Sequence, residues 1–362
     1  MEIPFIQSLH RPLNKPLKCT RWVCEFIVNR DDIKSSMINI DFFYYLVKKL
    51  HKTYSTYLPG EYHGIPSKSA IDAIANYISS LNKTSLNDNL VAILQNKKRL
   101  GIEKQIYSVY KASSYFVNLA KDKFKLIDEK NNLTYTGERL LEIKTGAKFT
   151  LSAKEKEFYF ERVLESDFLV FITYCNFQRI QLKYAIKNVT EYQYAFLEKF
   201  YNISHFNFTT PSLENYNTVR SYWIETLGVL NASKNLRNNY INIIKKNPTF
   251  EKWYEEIAIN IKNFESTTFR QNLKYLKLKK LFIEEYDKFV KNQTEDLGFV
   301  NLHDLKSHLH TSFDNFELFL NQFYEDEKRS SKIFFSNIVN SVDRRQRFYV
   351  NKIPVLKIKI KK

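Results

Sequence analysis

A chain of 362 residues with 44% hydrophobic and 15% aromatic content can bury two or three separate cores, which excludes a disordered chain. Its 7 Gly and 8 Pro are too few for glycine-rich nucleotide-binding folds and favour helices with short connections. Lys and Arg number 56 against 39 Asp and Glu, and the resulting net charge of +17 favours a polyanionic partner, nucleic acid before an acidic membrane.

Residues 1–64 read as an N-terminal arm and a helix. Pro4, Pro12 and Pro16 alternate with His10, Arg11, Lys15 and Lys18, followed by a strand-like stretch over 22–26 and an aromatic helix over 41–57. Such an arm either packs across the body of a protein or lies in a minor groove beside a DNA reader. Residues 1–14 lack the apolar core of a signal peptide, and no run approaches 18 apolar residues, so a cytoplasmic protein without a membrane partner is expected. Three cysteines, Cys19, Cys24 and Cys175, suit a reducing compartment.

Residues 65–150 form the first of three segments with one grammar: helices, a basic turn, a longer helix, a short hairpin. A helix over 67–81 and another over 86–94 lead to Asn96, Lys97, Lys98 and Arg99. The next helix, over 108–122, points Val109, Ala112 and Phe116 inward and Lys111, Ser114 and Tyr115 outward, residue types that hold phosphate or meet base edges. The wing strands are expected over 124–127 and 133–135. Asp128, Glu142 and Lys144 can be aligned with the carboxylates and lysine of metal-dependent nucleases, but that chemistry wants a strand where Gly137 and the residues after it read as a helix start. No catalytic residue, metal or cofactor is therefore expected.

Residues 151–246 carry helices and the second copy. A capping box at Ser152 and Glu155 opens the first helix. Over 212–244, Val219, Trp223 and Leu227 form an apolar stripe; Ser212 is the expected N-cap and Gly228 the left-handed stop. That places Asn217 and Arg220 outward as base-reading residues, Lys234 and Arg237 on a basic tip, and 240–244 in a second wing strand. A helical linker over 247–294 bears Arg270, Lys274, Lys277, Lys279 and Lys280, and leads to the third copy over 295–362. There the helix after Ser312 shows Asp314 and Glu317 near its amino end, which phosphate repels, whereas the wing holds Arg344, Arg345 and Arg347. His303, Asp304, His308 and His310 read as a surface cluster, because positions two apart diverge on a helix.

The expected class is mainly α with short β wings (α+β), as several consecutive winged-helix (helix-turn-helix) subdomains joined by helices. The recurrent helix end (Leu227-Gly228-Val229-Leu230 or Phe124-Lys125-Leu126-Ile127), polar wing and Thr136-Gly137-Glu138-Arg139-Leu140-Leu141 helix resemble the DNA-recognition half of FokI-type restriction endonucleases. The resemblance covers 65–245 loosely and 295–362 more loosely. It implies double-stranded DNA as partner, in the recognition component of a restriction or phage-defence system, with cleavage left to a separate nuclease or ATPase-coupled subunit. Two other readings stay open: a plasmid-type replication initiator or transcription regulator, and a protein-binding scaffold of a defence complex.

Overall fold

The computed structural model describes residues 2–13, 17–30, 37–53, 65–81, 86–147, 149–186, 188–203, 209–292, 297–328, 332–337 and 347–361, and the chain is mainly helical with a small antiparallel sheet of four short strands. It divides into two compact units, Met1–Lys262 and Asn263–Lys362.

The first unit begins with the arm, which packs on the body: Ile6, Leu9 and Leu13 are buried. Helix α1 (Lys18–Val28) follows, so the stretch 22–26 is helical and not a strand. Cys19, Trp22, Val23, Phe26 and Ile27 bury one face at helical spacing, and that period overrides the local β-propensity. Helices α2 (Ile38–Thr53), α3 (Lys68–Ser80, capped by Ser67), α4 (Leu86–Gln95) and α5 (Gly101–Asn118) precede a π turn over Leu119–Lys123. Beyond them come α6 (Tyr135–Glu142), α7 (Ala153–Tyr184), α8 (Val189–Tyr201), α9 (Thr210–Leu227), α10 (Asn238–Lys246) and α11 (Pro248–Asn292). The helical linker expected over 247–294 is thus one helix, from Pro248 to Asn292.

Two buried charge networks tie the arm and α1 to α7. Glu155, third residue of the α7 capping box, takes the amides of Gly146 (2.9 Å) and Ser152 (2.8 Å) and the ammonium of Lys18 (3.1 Å). Arg21 donates to the carbonyls of Leu140 (2.6 Å), Leu141 (3.1 Å) and Ile143 (3.0 Å), so α1 closes the carboxyl end of α6. Burial alone would raise the Glu155 pKa, but the two amides and Lys18 outweigh it and hold the carboxyl below its usual value. The second network lies at Asp167, where α7 kinks out of helical geometry (φ −139°). The kink frees the Leu169 amide for the Pro4 carbonyl (3.0 Å).

The same backbone device occurs twice. A helix stops on a left-handed residue, Lys125 (φ 52°) or Gly228 (φ 68°), and a single antiparallel bridge follows, Ile127 to Leu133 or Leu230 to Leu236. At the tip, Asn132 N donates to Asp128 Oδ1 (2.8 Å) as Asn235 N donates to Asn231 Oδ1 (3.0 Å). Both tips turn through a left-handed residue, Asn131 or Lys234, and both close with an amide bond of 3.0 Å, Thr134 to Leu126 or Arg237 to Val229. In each copy the chain leaves as a helix, α6 or α10, so the strand expected over 240–244 is instead helix α10 with Tyr240 and Ile244 buried one turn apart. The wings expected over 124–135 reduce to one bridge.

In the second unit, the carboxyl-terminal part of α11 supplies Tyr275, Phe282 and Tyr286 to a core with Leu302, Leu305, Phe316, Phe319, Leu320, Phe323, Phe348, Val355 and Ile358. The order is β1 (Val300–Asn301), α12 (Leu302–His308), α13 (Phe313–Glu327, capped by Ser312), β2 (Ile333–Asn337), β3 (Phe348–Val350) and β4 (Ile353–Ile360). All pairings to β4 are antiparallel. Val355 faces both Asn337 of β2 and Phe348 of β3, so β3 and β2 flank β4 on opposite sides. Between Ser336 and Asn337 the register jumps, leaving Leu356 as a bulge; this lets Val355 and Ile358, an odd number of residues apart, both reach the core. Asn351 and Lys352, both at positive φ (50° and 65°), make the two-residue turn between β3 and β4.

Candidate nucleic-acid interface

Helices α4 and α5 meet at the basic turn over 96–100. Arg99 is spent on the turn itself: its guanidinium donates to the carbonyls of Ile93 (3.3 Å), Leu94 (2.9 Å) and Asn96, and lies 3.6 Å from the Tyr107 ring centroid. Lys97 and Lys98 are exposed beside it. Helix α5 starts at Gly101, two turns before the expected residue 108; its exposed positions Lys104, Ser108, Lys111 and Asn118 run down one side, and Gln105 is exposed beside them in the second turn. Ile106, Val109, Ala112, Ser113 and Phe116 fill the opposite side. Lys104 and Gln105 escaped the sequence reading because the helix start was set too late, and Ser108, the first residue of the expected helix, was not taken as a contact residue; the spacing of Ile102, Ile106 and Val109 carries the signal for the earlier start.

Two expected contact residues here are partly engaged. Ser114 Oγ turns back to the Lys111 carbonyl (2.8 Å), and Tyr115 stacks on His10 of the arm, with ring centroids 4.1 Å apart. His10 is held below its usual pKa, first by burial and then by the charge of Lys111. The arm thus lays exposed His10, followed by exposed Arg11, on Tyr115, which continues the row Lys104, Ser108 and Lys111 of α5. At the first hairpin, Lys121 is satisfied by Glu129 (3.2 Å), while Lys123, Lys125 and Lys130 are exposed.

Helix α9 corrects the sequence reading. Asn217 and Arg220 do not face outward. Arg220 is fully buried and grips Asp167 with Nε (2.7 Å) and Nη2 (2.9 Å), and Nη2 also reaches the Ile6 carbonyl (2.7 Å). Asn217 donates to Thr190 Oγ1 (3.1 Å) and Gln193 Oε1 (2.8 Å). The stripe Val219, Trp223, Leu227 is only half of the buried surface; Leu213, Asn217, Arg220 and Ile224 form a second stripe, in which Asn217 and Arg220 are matched by polar partners on α7, α8 and the arm. What α9 shows to solvent includes Glu214 and Glu225, the wrong charge for phosphate. Its N-cap is Thr209 and not Ser212; Gly228 is the left-handed stop, as expected. Lys234 and Arg237 are exposed on the second hairpin, and Arg237 Nε also donates to the Leu230 carbonyl (3.2 Å).

In the second unit, the α13 face is occupied by β3. Glu317 accepts the Tyr349 amide (2.8 Å), and Asn321 donates to the Tyr349 carbonyl (2.7 Å) and accepts the Asn351 amide (3.0 Å). Arg344 and Arg345 lie outside the described residues; Arg347 is half-buried at the start of β3. His303 packs on Phe348 and His308 on Phe289, at opposite sides of α12. Glu142 ends α6 as a helical, exposed residue, and Asp128 accepts bonds from Asn132 within the hairpin tip, so the strand that nuclease chemistry requires is not formed there. Among the described residues no helix is long and apolar enough to cross a membrane. Compared with known proteins, the chain matches no family model, no curated protein and no solved structure.

Proposed function

We propose that the chain binds double-stranded DNA, with α5 as the element that enters the groove and the basic turn before it on the backbone. The observation that carries this reading is the one-sided stripe Lys104, Ser108, Lys111 and Asn118, joined by Lys97 and Lys98 and backed by an apolar face. Lysine holds phosphate or guanine, and glutamine, asparagine and serine pair with base edges. The order α4, turn, α5, hairpin is that of a winged helix, in which the first hairpin tip would lie along the backbone. Lys234 and Arg237, with Arg344, Arg345 and Arg347, add sequence-independent attraction. In this reading the chain supplies recognition in a restriction or phage-defence system, and a separate nuclease or ATPase subunit supplies chemistry.

Salt titration by fluorescence anisotropy tests the proposal. If the four lysines of the turn and α5 each neutralise one phosphate, affinity falls roughly 150-fold between about 50 and 200 mM salt. Lys111→Ala should lower the salt slope by about one. A flat salt response would sink the reading.

A further inference from the structure

The outer face of the second unit's sheet has a pattern that the duplex reading does not use. Antiparallel register places Phe334 of β2 opposite Lys359 of β4, and Ser336 opposite Lys357. On the other side of β4, Val300 pairs with Ile358, so Phe299, one residue earlier, continues the register to Lys359. The Lys359 ammonium lies 5.6 Å from the Phe299 ring centroid, and Lys361 lies 5.1 Å from that of Phe334. One row therefore reads phenylalanine, lysine, phenylalanine, with Phe334 on β2, Lys359 on β4 and Phe299 just before β1. Lys357 and Lys361 flank it on β4 and beyond, and Lys332 precedes β2. Phe334 is 40% exposed, while its neighbours Ile333 and Phe335 pack against the core. None of the four strands contains an acidic residue.

We propose that this face is a stacking platform for single-stranded nucleic acid: bases lie on Phe299 and Phe334, and Lys332, Lys357, Lys359 and Lys361 hold the phosphates. An exposed ring, Phe334, and a half-buried one, Phe299, set among lysines on strands without acids are what a strand with free base faces requires. The two rings are separated by two strand spacings, about 10 Å. In a duplex, consecutive bases stack about 3.4 Å apart and hide their faces, so rings this far apart can accept bases only from an unstacked strand. The inference stands apart from the α5 reading, which concerns other residues and a different substrate.

The test titrates the full chain with labelled oligothymidylate and oligouridylate of about 20 nucleotides and with a duplex of equal length. Phe334→Ala should weaken both single strands about fivefold or more while changing duplex affinity less than about twofold, and Phe334→Tyr, which keeps a ring, should stay near wild type. Stronger binding of the thymidine oligomer assigns DNA, and of the uridine oligomer RNA; either supports the platform. Because Phe334 is partly exposed, circular dichroism melting should show the variant folded. Wild-type affinity of Phe334→Ala for both strands overturns the proposal. So does displacement of the oligonucleotide by polyglutamate equally from wild type and variant, which would mark an acidic-protein surface.

Discussion

Replacing Arg220 by methionine tests the buried ion pair that holds the arm to the body. Both side chains of the Asp167–Arg220 pair have no solvent exposure. The Asp167 carboxylate accepts Nε at 2.7 Å, Nη2 at 2.9 Å and the Ile6 amide at 2.8 Å. Methionine keeps much of the volume but leaves a buried carboxylate with one neutral donor. Two unit charges about 4 Å apart at an effective dielectric of 20 interact by about 4 kcal/mol, and removing one partner of a buried pair costs about 3–5 kcal/mol. A domain is stable by about 5–15 kcal/mol, so a third or more of the margin should vanish.

The double variant Asp167→Leu with Arg220→Met should recover part of the loss. It removes the orphaned charge and takes a partner from the Ile6 amide and carbonyl and from the Tyr194 hydroxyl, for a residual cost of about 1–3 kcal/mol. Urea denaturation followed by tryptophan emission measures this cleanly, because Trp22, Trp223 and Trp253 all lie in the first unit. A loss below about 1 kcal/mol in Arg220→Met, or a double variant less stable than the single, would refute the assignment. Folded Arg220→Met should also bind duplex DNA as wild type does, because the side chain never reaches the surface.

Gly137→Ala should destabilise the first unit by about 1–3 kcal/mol despite alanine's better helix propensity, because the new Cβ meets the Leu126 carbonyl oxygen and lies 2.7 Å from Leu133 Cδ1; a raised urea midpoint would contradict this. Acid should weaken the first unit through Glu155. Its folded pKa is depressed, so its contribution is complete above the unfolded value of 4.5 and is lost as pH falls through the folded value. In Glu155→Gln the urea midpoint should fall less between pH values of about 6 and 3.5 than in wild type. Cys19, Cys24 and Cys175 are buried, and burial pushes all three thiols up, Cys24 to about 12, so an aromatic disulfide reagent should titrate none of them until the chain unfolds.

The sequence carried the long helices, the cap at Ser152 and the stop at Gly228, because each has a local cause within a few residues. Three readings failed where the cause is distant. Trp22 to Phe26 has strand-like residues, yet Lys18 and Arg21 reach partners more than a hundred residues away and fix a helix. Tyr240 to Ile244 is rich in β-branched residues, yet the spacing of Tyr240 and Ile244 against α7 and α9 decides for α10. Arg220 looked exposed because polar residues on an amphipathic helix usually are; only Asp167, on another helix, makes its burial tolerable. Of the candidate interface, Lys97, Lys98 and Lys111 were visible as charge at outward positions, while Lys104 and Gln105 required the true start of α5.

The repeated hairpin separates the residues that set geometry from those that set chemistry. Positions shared by the two copies are the ones whose bonds shape the turn: Asp128 or Asn231 accepting an amide, a left-handed residue at the tip, and a left-handed helix stop. Positions that differ are on the surface. The first tip carries Glu129 and Lys130 and follows a helix with a lysine-bearing exposed stripe; the second carries Ala232 and Ser233 and follows a helix whose exposed side includes Glu214 and Glu225. A backbone unit can therefore recur without its function recurring, since phosphate attraction depends on the exposed side chains and not on the turn. In the third segment, Glu317 and Asn321 on α13 are committed to the backbone of β3 and its turn, which removes that helix face from groove contact. On the duplex proposal recognition then rests on α5, and on the single-strand proposal the second unit's sheet takes a strand whose bases are already exposed.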